Sequence, residues 1–214
     1  MFAMRIIIIY VLSLFCVQMG AQDLTASQQF RQMPDSLLPY MSQGNRLDLI
    51  DFVESGMESK VTDGLDGSVR LTKLTTDYLM LELSPSSSLE MKLLPCEAGV
   101  FGDTVRSVVC VVMTVGTDVR ESTINFYTTG WHCLSSEGMI EPSLSVIASG
   151  MQPSDAVAKR MMSPRFLSAR LSPDAVTINL TVSSFQSSQE EMDKKILLKV
   201  QKTLKWNGKT FKEV

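Results

Sequence analysis

One histidine, His132, and four cysteines in 214 residues leave little material for metal or acid–base chemistry. A single imidazole rules out a zinc site built on two histidines, and Cys16, Cys96, Cys110 and Cys133 lack the close paired spacing of a thiolate site. Any histidine-based triad must use His132 as its base. Its neighbour Cys133 would face the other side of a strand, so the two could not share a proton without a bulge. No Gly-x-Ser-x-Gly elbow and no Walker sequence occurs, which removes the motif-borne routes to acyl and phosphoryl transfer. No apolar run reaches the roughly 18 residues that cross a bilayer as a helix. A basic stripe is also missing: the formal charge is -3 and its signs read as evenly mixed, which argues against nucleic acid as a partner. Apolar residues make up 44% of the chain, too many for a disordered polymer.

What is present begins with a leader. Arg5 precedes the apolar run Ile6 to Val17, and Met19-Gly20-Ala21 before Gln22 offers a small-residue cleavage point. Residues 1–21 are therefore read as a secretory signal peptide, and the mature chain as periplasmic or extracellular without a transmembrane anchor. Lipid attachment at Cys16 is disfavoured because bulky Phe15 precedes it. Three cysteines remain after cleavage, an odd number that allows at most one internal bridge. Cys96 and Cys133 fall near strand ends and form the preferred disulfide pair, while Cys110 lies mid-strand as a buried free thiol.

Pro34-Asp35-Ser36-Leu37-Leu38 reads as a short helix closed by Pro39. A second helix is expected from Asn45 as N-cap to Gly56, with Leu47, Ile50 and Val53 on one face. From Val61 the period switches to alternation. Strands are expected at 69–74, 78–83, 89–94, 105–115 and 121–127, with the valine-rich 105–115 at the centre because β-branched side chains suit a pleated surface. Residues 136–152 read as a connection. A helix from Ser154 to Met162, ended by Pro164, then leads to strands at 166–171, 176–182, 196–200 and 203–206, and Asn207-Gly208 signals a closing hairpin. Helix followed by meander, twice over, predicts an α+β fold of antiparallel sheets with short helices. The unit expected is a duplicated helix plus four strands, over 22–135 and 153–214, with one continuous domain as the alternative.

Gln29-Phe30-Arg31-Gln32-Met33-Pro34-Asp35-Ser36-Leu37-Leu38-Pro39-Tyr40 followed by Asn45-Arg46-Leu47-Asp48-Leu49-Ile50-Asp51-Phe52 carries a family likeness, echoed by Leu93-Leu94-Pro95 and by Glu121 to Tyr127 with Trp131. These segments resemble an uncharacterised family of exported Bacteroidales proteins, domain of unknown function 3256. The resemblance implies an envelope protein and supplies no catalytic residues. It also implies that Asp103-Thr104-Val105, like Asp35-Ser36-Leu37, is similar to the Asp-Ser/Thr-apolar triplet O-glycosylated in that lineage, with Thr104 the better acceptor because a helix would hide Ser36.

The remaining polar features favour bland readings. Asp63-Gly64-Leu65-Asp66-Gly67 has the wrong offsets for calcium and suits a turn, and Asp51, Glu54 and Glu58 read as a solvated helix face. No cofactor or metal site is expected. Tyr127, Trp131 and Trp206 near hairpin tips are candidate partner contacts, with a core role as the competing reading. The sequence thus points to a non-catalytic binding or structural module of the cell envelope, its partner an unknown envelope protein or glycan. The rival is an envelope hydrolase acting on glycan or peptide with carboxylates or a serine brought together by the fold.

Overall fold

A computed structural model describes residues 24–97, 99–102, 105–141, 143, 162–187 and 195–214. The leader with its cleavage point, Cys16, Thr104, most of the expected 154–162 helix and the acidic link at 189–191 lie outside the described residues.

Chain entry is helical. Helix α1 (Ala26–Arg31) falls where sequence alone suggests only a polar lead-in. Thr25 caps it, accepting from the Gln28 backbone while the Gln28 side chain accepts from Thr25 N–H, so a capping box holds a helix of fewer than two turns. Asp35–Leu37 forms a 3-10 turn, and α2 (Gln43–Glu54) follows. Its cap is Ser42, whose hydroxyl accepts from Asn45 N–H, so the expected Asn45 cap sits inside the first turn. Gly56, at φ +70°, ends the helix as expected.

The first sheet is a simple meander, β1 (Lys60–Thr62), β2 (Ser68–Leu74), β3 (Tyr78–Ser84), β4 (Ser87–Pro95), β5 (Ser107–Val115), β6 (Glu121–Thr128) and β7 (Cys133–Leu134), each antiparallel to the next. The second sheet contains β8 (Ile140–Glu141), β9 (Met162–Leu171), β10 (Thr177–Ser187), β11 (Lys195–Trp206) and β12 (Phe211–Glu213), in the order β8-β12-β11-β10-β9. The fold is thus α+β and mostly antiparallel sheet, and among the described residues the sheets hold seven and five strands where four each were expected. Two more differences have local causes. The separate strands at 196–200 and 203–206 are one, because Gln201 and Lys202 pair with Thr181 and Leu180 as regularly as their neighbours do. Pro164 stands inside β9, with Met162 and Ser163 before it already extended; as an edge strand, β9 has one side on which a missing N–H costs no ladder bond.

Successive side chains of the first sheet point to opposite faces, with the period of two that a strand imposes. Leu79, Leu81, Leu89, Met91, Val109 and Val111 pack with Phe30, Met33, Leu49 and Ile50 under the helices. Tyr78, Leu94, Val108, Cys110, Val112 and Phe126 face the second sheet and meet Leu171, Ile178, Leu180, Leu204, Trp206 and Phe211. The central strands are therefore covered on both faces, which is why β5 reads as an almost unbroken valine run.

The β5–β6 hairpin depends on Gly116, at φ +108°, where an added Cβ would lie 2.1 Å from the Val119 carbonyl oxygen. Gly116→Ala is expected to cost about 2 kcal/mol or more through that clash and the left-handed strain, read as a lowered urea midpoint at unchanged slope.

Candidate functional site

The sheets do not simply lie face to face. Strand β9 crosses over β6, β5 and β4, and its edge away from β10 stands on the first sheet. An unpaired strand edge presents bare N–H and C=O groups that must find partners when buried. Side chains of the first sheet supply them at two-residue intervals. Ala169 N–H donates to Ser122 Oγ at 2.9 Å, Leu171 N–H donates to Glu90 Oε2 at 2.7 Å, and Lys92 Nζ donates to the Pro173 carbonyl at 3.1 Å. Thr114 shares a 2.7 Å hydrogen bond with Ser122 and steadies that hydroxyl. Serine, glutamate and lysine side chains together do the work of a missing neighbouring strand.

Two of these groups are charged and buried: the Glu90 side chain is 3% exposed and that of Lys92 1%. Burial raises the Glu90 carboxyl above its ordinary value near 4.5, against the lowering pull of the Leu171 N–H, Arg170 and Tyr78. Arg170 Nε lies 3.6 Å from Glu90 Oε1 and remains largely in solvent. Lys92 pairs with Asp77 at 3.0 Å and sits 5.8 Å from the centre of the Tyr78 ring. The Tyr78 hydroxyl is pushed well above its usual range, first by burial and then by the nearby Glu90.

Beyond the seam, on the side of β9 away from the core, the sheets enclose an open corner of about 550 Å³. The first sheet contributes Ser88, Thr114, Asp118 and Arg120 to it, and the second contributes Arg170, Asn179, Thr181, Lys199, Gln201 and Thr203. Ser88, Thr114, Arg120 and Arg170 also line an adjoining groove of about 590 Å³ along the β3–β4 hairpin, so the two recesses are continuous through those residues. No aromatic side chain lines either recess.

Charge is less evenly spread than the whole-chain balance suggests. Residues 22–141 hold 17 acidic and 8 basic side chains, whereas residues 142–214 hold 6 and 11. Most of the excess lies in the second sheet and its β11–β12 turn: Lys199, Lys205, Lys209 and Lys212 are all exposed.

The aromatic residues singled out from the sequence do not gather at one surface. Trp206 is 3% exposed between the sheets, stacked near Phe101 and Phe126, with its indole N–H donated to the Pro95 carbonyl at 2.6 Å. Tyr127 belongs to the opposite core, beside half-buried Trp131 at 5.6 Å between ring centroids. The hairpin tip is tight: Trp131 adopts φ +63°, and its N–H donates to the Thr128 carbonyl.

Cys96 and Cys133 do not pair, and all three described cysteines are free thiols. Cys96 extends β4 and Cys133 opens β7, with β5 and β6 between them. Three strand spacings amount to about 14 Å, twice the Cα separation a disulfide tolerates. Cys110 is fully buried and its thiol is pushed far up by burial; Cys96 is half-buried and pushed up to about 11; Cys133 is exposed. Iodoacetamide on native protein should therefore label Cys133 first and Cys96 slowly, with Cys110 reacting only after unfolding, as site-resolved mass spectrometry would report.

Asp63 Oδ1 accepts from the N–H groups of Leu65 and Gly67, a turn carboxylate as the sequence suggests. Asp51 and Glu54 pair with Arg31, and Glu58 with Arg70, all near solvent. Among the described residues no group of three or more His, Cys, Asp or Glu could hold a metal ion, and no helix is long and apolar enough to cross a membrane. The seam residues Glu90, Lys92 and Arg170 escape sequence reading. The available signal is Leu89-Glu90-Met91-Lys92-Leu93, which reads as a half-exposed strand unless the second sheet is known to cover its polar side.

An antiparallel two-sheet body with a helical layer, a sealed seam and an open polar corner defines a small α+β protein. The chain belongs to the family described as protein of unknown function (DUF3256), whose model matches residues 16–211. It is similar in fold to a domain of an uncharacterized protein from Porphyromonas gingivalis W83, at 23% identity, with 88% of this chain and 96% of that one covered and a TM-score of 0.65. No curated protein matches the chain.

Proposed function

We propose that the protein is an exported, non-catalytic binding module of the bacterial envelope, acting in the periplasm or at the outer surface after loss of residues 1–21, and that the polar corner is its working surface. One observation carries the non-catalytic part. Glu90 is the described carboxylate in the corner with a raised titration, and one of its oxygens is spent on the Leu171 N–H while the other faces Arg170. A general acid must present its proton to a bound substrate, and this carboxyl is turned into the seam. Apart from the carboxylate Asp118 and the small Ala169, the remainder of the corner is hydroxyl, amide and cationic, the chemistry of polar recognition. The division into units at 22–135 and 153–214, and their origin by duplication, belong to the same reading; its support is that both halves end at a hairpin with an aromatic shoulder, Trp131 in one and Trp206 in the other.

A photocrosslinking residue placed at Gln201 in living cells tests this. A reproducible adduct absent from the same probe at Lys60, on the first sheet's outer edge, supports binding at the corner. Turnover of an envelope glycan or peptide that disappears in Glu90→Gln would replace it with the hydrolase reading.

A further inference from the structure

We infer that the polar corner recognises an acidic oligosaccharide, one carrying carboxylates among its hydroxyls; this rests on the binding reading and names the ligand class of that same site. Three cations line the corner, Arg120, Arg170 and Lys199, against Asp118 and the Glu90 already engaged by Arg170. Among the described residues Arg120 has neither an ion pair nor a side-chain hydrogen bond, and it is exposed at the mouth where the two recesses join. A free guanidinium fork is shaped for a carboxylate, which it engages through two parallel N–H donors. The same recess is lined by Asn179, Gln201 and Thr203, groups that both donate and accept, as sugar hydroxyls require. Asn179 and Thr203 are held to each other by a 2.7 Å hydrogen bond, which lowers the ordering cost of both at binding.

The alternatives fit less well. An acidic polypeptide would need apolar subsites for its side chains, and the walls of the corner are serine, threonine, amide and charge. An anionic membrane is flat, whereas Arg170 and Arg120 line the walls and mouth of a concave recess between two sheets. Duplex nucleic acid would require a continuous cationic track, which Asp118 interrupts at the corner.

Titration of the full mature chain with an oligogalacturonate, followed by calorimetry, is the deciding experiment. Saturable binding is expected, weakened as salt rises from 50 to about 300 mM because the attraction is screened. Each of Arg120→Ser and Lys199→Ser, exposed positions whose loss leaves the fold intact by circular dichroism, should weaken it by about tenfold, equivalent to about 1.4 kcal/mol. A neutral cello-oligosaccharide should bind at least tenfold more weakly. Absence of oligogalacturonate binding, indifference to both substitutions, or equal binding of polyglutamate or phosphatidylglycerol vesicles would overturn the assignment. A Gln201 crosslink to a protein or neutral glycan, with no oligogalacturonate binding, would sink this inference while leaving the binding reading in place.

Discussion

Trp206→Ala is expected to lower stability by about 4 kcal/mol, enough to leave a domain of this size only marginally folded at 25 °C. The side chain is 3% exposed and is the hub of an aromatic group: Phe211 meets its edge at 5.2 Å, and Phe126 and Phe101 stack at 6.4 and 6.3 Å. Phe126 comes from the first sheet and Phe211 from the second, so truncation opens a cavity at the junction of the sheets, where neither can collapse without shifting the other. The polar part of the loss is separable. Trp206→Phe keeps most of the packing but leaves the Pro95 carbonyl without its 2.6 Å donor, and should cost about 1–2 kcal/mol. Urea titrations followed by far-UV circular dichroism measure both without relying on indole fluorescence. A Trp206→Ala variant as stable as the parent would mean that the two sheets fold independently of this contact. The same geometry withdraws Trp206 as an anchor for a partner, since an indole this enclosed offers no surface.

What sequence conveys about this fold divides along a physical line. Period-two alternation and turn residues are local, so β2 to β6 fall within two residues of expectation, and Asn207-Gly208 makes its turn with Gly208 at φ +96° and Asn207 Oδ1 accepting from Lys209 and Thr210. Facts that depend on how distant elements meet are not local. That Cys96 and Cys133 lie three strands apart follows from the order of the meander, and two cysteines near strand ends look equally bridgeable whether adjacent or remote. The short strand β8 is legible only through its parallel pairing with β12, some 70 residues later. The seam is the extreme case: Ser122, Glu90 and Lys92 look like ordinary solvent-facing positions of an amphipathic sheet, and only the edge of β9 descending onto them turns hydrophilic side chains into a buried ladder.

Glu90→Ala should cost about 3 kcal/mol near neutral pH, and Glu90→Gln much less, with the order of the two variants carrying the argument. Alanine leaves the Leu171 N–H buried without an acceptor, and removes packing from the centre of the seam. The full penalty for orphaning a buried charge does not apply, because Arg170 is 62% exposed and returns to water. Glutamine keeps an amide oxygen for Leu171 while removing a charge that burial disfavours. The pH dependence separates the two effects. A carboxyl raised in the folded state binds its proton more readily there than in the unfolded chain, so its stabilising contribution is complete below the ordinary value near 4.5 and is lost as pH climbs through the raised one. The parent protein should therefore lose stability from this group upward from about pH 4.5, relative to Glu90→Gln, which lacks that titration. Guanidinium midpoints measured from pH 4 to 8 should bring the curves of parent and Glu90→Gln together at the acidic end and spread them above it. Parallel curves would show that Glu90 titrates as it does in the unfolded chain, and that the seam is wetter than its geometry implies.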